Sequence, residues 1–188
     1  SIIKSVMDQK SIPINDQNWI NDLKNQEKFP EIYYKNEYID YSNYYSQLLY
    51  MCKFVPCHAD ILRYIFENNR SSLNQHLMKT HSDNDHIKVS ILGCGPGTEL
   101  LGLAKWIERK AGERINLKVF LADQNQDWEI YCQMLTKHIE LKCDLKLNFL
   151  EINFNKIDIE NTIENGNGLG PIKEIDIFIM SYVFSEIC

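Results

Sequence analysis

Residues 88–101 read KVSILGCGPGTELL, and this stretch decides the fold. An apolar run typical of a short buried strand ends abruptly at Gly93, Gly95 and Gly97, and a helix pattern begins at Thr98. Glycine permits positive φ angles and the close approach of another group to the backbone. The stretch therefore predicts a strand, a tight turn and a helix, with free N–H groups and the positive end of the helix dipole beside the turn. Such a corner suits a nucleotide-like ligand.

Strand and helix patterns alternate from residue 87 onward. The sequence predicts strands over residues 87–92, 117–122, 145–152 and 175–181, and helices over 98–110, 127–139 and from 183 onward. Repeating βα units imply a parallel sheet with right-handed crossovers. We therefore expect a doubly wound α/β domain over residues 87–188.

The residues before this domain are predicted to form a helical N-terminal cap region, residues 1–86. Helical spacing is present over 17–27, in the tyrosine-rich block 38–50, over 57–67 and after Ser71 or Ser72. Pro56 is expected to interrupt the helical run. The buried stripe of the helix that follows is predicted to comprise Ile61, Leu62, Ile65 and Phe66.

Composition excludes several classes of protein. The 188 residues are 44% apolar and 24% charged, as in ordinary globular proteins, and the net charge is −6. An acidic chain without a dense Lys/Arg run has no evident DNA-binding surface. The absence of an apolar stretch of about 18 residues predicts no membrane segment. We expect a cytoplasmic protein, or a mitochondrial one if a targeting segment precedes Ser1.

Cysteines and histidines do not predict a metal site or a disulfide framework. The six cysteines lack CxxC spacing, which favours reduced thiols. The group formed by Cys52, Cys57 and His58 fits no standard zinc pattern, nor do the histidines that follow it, His76, His81 and His86.

The glycine turn distinguishes between two classes of ligand. In Gly93-Cys94-Gly95-Pro96-Gly97 the third glycine comes one residue earlier than in the dinucleotide pattern GxGxxG. The tighter GxGxG turn resembles motif I of the class I S-adenosylmethionine-dependent methyltransferases, whose ligand has no phosphate. That resemblance implies that these turn residues pass under the methionine end of the cofactor. A tight turn without a ligand is the alternative.

Acidic residues after the second strand strengthen the resemblance. Asp123 follows the strand directly, and a carboxylate there can accept hydrogen bonds from both hydroxyls of a ribose. A helix cap is the alternative role, for which Asp127 is better placed. Gln124 is assigned to the same cofactor site. Trp128 either stacks near the adenine or anchors the helix that follows.

The third and fourth strands also resemble motifs of the family. The resemblance assigns Asn153 to the adenine amino group, in place of the usual acidic residue, and Phe154 to the side of the ring. Ser181 and Tyr182 would border the methionine and the target atom. Glu186 is the candidate for a general base, with an exposed acid at a helix N-terminus as its alternative role.

The chain departs from the family pattern at several positions. Ile91 stands where the family commonly has an acidic residue that binds the cofactor's ammonium group. The (Asn/Asp)-Pro-Pro-(Tyr/Phe) pattern of amino-group methylation is absent.

Residues 181–187, SYVFSEI, resemble the SY-x-LSEL segment of methyltransferase-like proteins that assist assembly of the mitochondrial small ribosomal subunit.

The family resemblance also carries an expectation about completeness. The family's Rossmann-like sheet has seven strands in the order 3-2-1-4-5-7-6, and this sequence supplies strands one to four. Because natural proteins protect apolar edge strands, we expect the C-terminal strands to be missing from this sequence or to lie elsewhere. Residues 166–170, GNGLG, copy the glycine spacing but follow no strand, so we interpret them as a loop.

The sequence thus predicts an S-adenosylmethionine-dependent methyltransferase whose acceptor is undefined: a small molecule, a protein or an RNA. Two alternatives stay open. One is a non-catalytic methyltransferase-like ribosome-assembly or scaffold protein. The other is an NAD-dependent oxidoreductase, which the glycine spacing disfavours.

Overall fold

The computed structural model describes Met7, Asp8, Ser11 and residues 41–69, 86–110, 115–142, 147–156 and 174–180. The predicted helices over 17–27 and after Ser71, the loop 166–170 and all of residues 181–188 lie outside the described residues.

The described elements alternate as predicted after residue 86. In chain order they are α1 (Tyr44–Lys53), α2 (Val55–Asn68), β1 (Ile87–Leu92), α3 (Thr98–Lys110), β2 (Ile115–Asp123), a 3₁₀ turn (Gln126–Trp128), α4 (Glu129–Lys142), β3 (Leu147–Lys156) and β4 (Ile177–Met180).

The strands form a parallel sheet in the order β3-β2-β1-β4. The chain moves outward from β1 through β2 to β3, and β4 then pairs with the other side of β1. This confirms the predicted parallel α/β sheet. The direction of winding reverses between β1 and β4, and open α/β sheets bind ligands beyond the carboxyl ends of their strands at such a point. The doubly wound arrangement and any strands beyond β4 stay predictions.

One face of the sheet is covered by α3 and α4. Alternate residues of β1, among them Val89 and Ile91, pack with their neighbours in β2 against both helices. Leu100, Leu103, Ala104 and Ile107 of α3 are buried in this core. Burial of these apolar side chains is the main source of the domain's stability. At the other end of the sheet, Phe178 and Met180 of β4 are exposed.

Helix α2 packs closely on α3, and Gly102 makes the close approach possible. A Cβ atom at Gly102 would lie 2.8 Å from Leu62 Cβ and 2.9 Å from the Ala59 carbonyl oxygen. The predicted buried stripe of α2 is half wrong. Leu62 and Phe66 are buried, whereas Ile61 and Ile65 are exposed, because α3 covers only the narrow side that carries Ala59, Leu62 and Phe66.

A second apolar cluster joins α1 to the start of α4. Leu48 and Met51 pack there with Val55, Trp128 and Tyr131. The Trp128 ring centroid lies 5.9 Å from that of Tyr50 and 5.7 Å from that of Tyr41. Trp128 is therefore a buried anchor between the helical region and the sheet domain, the second of its two predicted roles.

Several predicted element boundaries need correction. The helical run does break near Pro56, but the break is at Phe54 and α2 starts at Val55, two residues earlier than predicted. Pro56 lies in the first turn of α2, where its missing N–H costs nothing. The cap after β2 is Asn125, whose side chain accepts a hydrogen bond from the Asp127 N–H. Strand β3 continues to Lys156, beyond its predicted end. In the part of the chain that the structure describes, no helix is long and apolar enough to cross a membrane.

Candidate functional site

The glycine turn lies at the carboxyl end of β1, and each glycine has its own reason to be there. The φ angles of Gly93, Gly95 and Gly97 are 64°, 48° and 90°, all in the region that glycine favours. A Cβ atom at Gly97 would lie 3.1 Å from Leu135 Cδ2 of α4, so this glycine serves helix packing. A Cβ atom at Gly95 would meet nothing within 4 Å. Gly95 therefore faces open space, as a residue that lets a ligand approach the backbone must.

The backbone amides of the turn are all engaged within the protein. The N–H groups of Gly93 and Cys94 both donate to the Ala122 carbonyl, at 2.8 and 3.1 Å. Gly97 donates to the Cys94 carbonyl at 2.8 Å, and Gly95 donates to Asp123 Oδ2 at 2.8 Å. Pro96 has no N–H. The turn is thus held rigidly to the end of β2, and residues 93–97 offer no amide to a phosphate.

The Cys94 side chain belongs to the core. Its side chain is buried, and its Sγ lies 3.6 Å from the Gly95 carbonyl oxygen, to which Cys132 of α4 also donates at 3.2 Å. Burial raises the pKa of the Cys94 thiol, and the neighbouring Cys132, Asp123 and Glu99 raise it further. Cys132 therefore ties the turn to α4 through its hydrogen bond to the Gly95 carbonyl.

Asp123 closes the corner from the β2 side. Oδ2 accepts from Gly95 N–H at 2.8 Å, and Oδ1 accepts from Asn125 N–H at 2.9 Å. Burial raises the pKa of this carboxyl, and the N–H donors of Asn125, Gly95 and Gln124 partly oppose the increase. A carboxylate has about four lone-pair positions, so further acceptor capacity remains for a hydroxyl of a ligand.

The other predicted cofactor residues are only partly accounted for. Gln124 is exposed beside Asp123. Asn153 and Phe154 pair in register with Phe120 and Leu121 of β2. Strand β3 runs to Lys156, so the residue that pairs with Ala122 near the carboxyl end of β2 is Asn155 and not Asn153. Ser181, Tyr182 and Glu186 lie outside the described residues.

Two polar residues at the corner were not predicted as site residues. Glu99 lies in the first turn of α3 and is only 3% exposed, although acids in a first helical turn are usually solvated. Its carboxyl is close enough to the turn to help raise the pKa of Cys94. Thr98 is also buried, and within the described ranges its Oγ1 has no hydrogen-bond partner. The acid following a Gly-Thr pair was a visible signal for Glu99, but burial cannot be seen in a sequence.

Alanine substitutions at Gly95 and Gly97 should have different effects. Gly95→Ala has room for its Cβ, so we expect a stability loss of only about 1 kcal/mol from the positive φ angle, together with loss of ligand binding. Gly97→Ala must displace Leu135 at a still less favourable φ, so we expect a loss of about 2–3 kcal/mol. Urea unfolding measures both stabilities. Equal destabilisation by the two variants would contradict this division of roles.

The buried Asp123 carboxyl should give stability an unusual pH dependence. Its pKa in the folded protein is raised above the ordinary value of 3.8, so near that pH the folded state binds more protons than the unfolded state. The free energy of unfolding should therefore fall as pH rises from 3.8 through the raised pKa. Urea unfolding between about pH 3.5 and 6 tests this, and the fall should be absent from Asp123→Asn. A wild-type profile parallel to that of the variant would contradict it.

Neither a cluster of metal ligands among the described residues nor a match to a known protein indicates what the corner binds. Within the described residues, no group of three His, Cys, Asp or Glu side chains could hold a metal ion. Comparisons with protein-family models, curated proteins and solved structures find no match to this chain. Its function is therefore argued from the geometry and charge of the corner.

Proposed function

We propose that the corner formed by residues 93–97, Asp123 and Glu99 binds S-adenosylmethionine, and that the protein is a methyltransferase using this cofactor. The observation that carries the proposal is the contact between Asp123 Oδ2 and Gly95 N–H at 2.8 Å, next to a Gly95 whose missing side chain faces open space. A carboxylate for the ribose hydroxyls and a bare stretch of backbone for the methionine end thus lie side by side.

The charge of the corner supports a cationic ligand. Two buried acidic side chains, Asp123 and Glu99, flank the turn, and both contribute to the raised pKa of Cys94. A sulfonium ion is attracted to such a site, whereas a pyrophosphate is repelled. Electrostatics therefore favour S-adenosylmethionine over NAD.

The hydrogen bonding of the turn supports the same choice. A dinucleotide needs backbone N–H groups for its phosphates. Here the amides of Gly93, Cys94, Gly95 and Gly97 are engaged within the protein, and Pro96 has none. Next to the turn, the first turn of α3 retains amides without an acceptor in the helix.

Glu99 supplies a carboxylate of the kind that the family pattern places at position 91, where this chain has Ile91. Ile91 is fully buried in the core between the sheet and its helices and cannot serve a ligand. Glu99 lies on the opposite side of the turn, in the first turn of α3. We propose that the Glu99 carboxylate binds the ammonium group of the methionine moiety. The buried Thr98 hydroxyl donates a hydrogen bond to the carboxylate of that moiety.

The protein's task in such a reaction is alignment. S-adenosylmethionine supplies an already activated methyl group, so holding donor and acceptor in line provides most of the acceleration. The rigid turn fixes the donor, and Asp123 fixes the ribose. A base is needed only for an acceptor that arrives protonated, and Glu186 is kept as the candidate for that role. The acceptor itself stays undefined.

Isothermal titration calorimetry with S-adenosylmethionine, S-adenosylhomocysteine and NAD tests the proposal. We expect saturable, one-to-one binding of the first two ligands and no heat with NAD. Heat with NAD alone would overturn the proposal in favour of a nicotinamide enzyme. Binding of the adenosyl ligands, with no methyl transfer to cellular RNA, protein or small-molecule fractions, would favour the non-catalytic alternative.

A further inference from the structure

Asn125 connects the candidate cofactor corner to the helical region that precedes the sheet. Its backbone N–H donates to Asp123 Oδ1 at 2.9 Å. Its side-chain oxygen accepts from Asp127 N–H at 3.0 Å and thereby starts the 3₁₀ turn. Its side-chain Nδ2 donates to the Tyr41 carbonyl at 2.8 Å. One amide side chain therefore satisfies a neighbouring and a distant backbone group and fixes the turn that orients Asp123.

The Tyr41 carbonyl is held from the helical side as well. It accepts a second hydrogen bond, of 2.7 Å, from Gln47 Nε2, and Gln47 is fully buried in α1. The Tyr41 ring packs against Trp128, which follows Asn125 in the 3₁₀ turn, and against Tyr50 of α1. Tyr41, just before α1, is thus docked on the same short turn that orients the Asp123 carboxylate.

The hydrogen bonds form a continuous path from the glycine turn to α1. It runs from Gly95 N–H to Asp123, from Asp123 to Asn125, and from Asn125 to the Tyr41 carbonyl, with distances of 2.8, 2.9 and 2.8 Å. Asp123 has two oxygens, and Asn125 holds one of them. Release of Asn125 from Tyr41 would free the turn and allow the carboxylate to rotate away from Gly95.

We infer that Asn125 is a positioning residue, which presents Asp123 to the ribose and couples occupancy of the corner to docking of residues 41–53. The inference rests on the proposed function. Binding at Asp123 strengthens the docking of residues 41–53, and by reciprocity that docking raises affinity for the ligand. The helical region is then part of the binding unit and not a separate appendage.

Asn125→Asp isolates the contact with Tyr41. An aspartate keeps the size of the side chain and an acceptor for Asp127 N–H, but it replaces the donor facing the Tyr41 carbonyl with an acceptor. We expect affinity for S-adenosylhomocysteine to fall about threefold to tenfold, the weight of one hydrogen bond. Gln126→Glu makes the same amide-to-acid change at the exposed neighbouring position and should retain wild-type affinity.

Hydrogen exchange supplies the readout that a purely structural role would not change. In the wild type, S-adenosylhomocysteine should slow amide exchange in residues 41–53, and this response should be lost in Asn125→Asp. If that variant does not fold, Asn125→Ser keeps a capping oxygen, is too short to reach Tyr41, and should show the same loss.

Two results would overturn the inference: wild-type binding that leaves exchange over residues 41–53 unchanged, or an Asn125→Asp variant with wild-type affinity and response. Failure of the proposed function is a separate result, in which the wild type binds no adenosyl ligand. Exchange in the ligand-free proteins then tests the contact itself. Faster exchange over residues 41–53 in Asn125→Asp supports the docking role, and unchanged exchange refutes it.

Discussion

Asp123→Asn should reduce affinity for S-adenosylhomocysteine by about tenfold to a hundredfold. The carboxylate accepts from Gly95 N–H and Asn125 N–H and, in our proposal, from the ribose hydroxyls. An asparagine can present only one acceptor oxygen. Its NH₂ group must therefore face an N–H donor at one of these contacts. Titration calorimetry measures the loss.

Asp127→Asn is the matched control for this substitution. Asp127 is exposed, lies in the same loop and undergoes the same change from carboxylate to amide. Its backbone N–H, and not its side chain, bonds to Asn125. Affinity should therefore be unchanged. A wild-type affinity in Asp123→Asn, or an equal loss in both variants, would contradict a specific role for Asp123.

Gly102→Ala should lower the free energy of unfolding by about 1–3 kcal/mol, with a fall in Tm of several degrees. The sign is the reverse of the usual one, because alanine in the middle of a helix normally adds about 1 kcal/mol over glycine. Here the new Cβ would lie 2.9 Å from the Ala59 carbonyl oxygen and 2.8 Å from Leu62 Cβ. Neither atom is the end of a flexible side chain, so α2 must move away from α3. Thermal and urea unfolding measure the change.

Lys105→Ala separates close packing from surface charge in the same pair of helices. Lys105 Nζ lies 3.1 Å from Asp60 Oδ1, and both side chains are substantially exposed. An ion pair of this kind contributes at most about 1 kcal/mol. A larger loss in Lys105→Ala than in Gly102→Ala would show that the ion pair, and not the close contact, holds α2 on α3.

Elements with a strong local signal could be predicted from the sequence. The bounds of β1 and α3 are as predicted, because an apolar run, a glycine turn and an apolar helical stripe follow each other without ambiguity. The end of β3 could not be predicted, because Asn153, Asn155 and Lys156 do not favour a strand and are held there by pairing with β2. The exposed Ile61 and Ile65 show that helical spacing does not reveal how wide a covering surface is.

The candidate site shows the same division between local and tertiary information. The position of Asp123 at the end of an apolar strand could be predicted from the local sequence. The inward orientation of Cys94 could not, since it depends on Cys132 of α4, which is distant in sequence. The contact between Asn125 and Tyr41 joins residues 84 positions apart, and no spacing rule indicates it. Tertiary contacts thus decide which of the polar residues around the turn act together.

Hydrogen exchange with and without S-adenosylhomocysteine tests the central claim most directly, because it reports both whether the ligand binds and where. We expect slower exchange in peptides covering residues 93–101 and 120–128, and no such change with NAD. The amides in the first turn of α3 should respond strongly, because they have no acceptor within the helix. Binding that leaves both peptides unchanged, or no response to the adenosyl ligand at all, would contradict the assignment of this corner to S-adenosylmethionine.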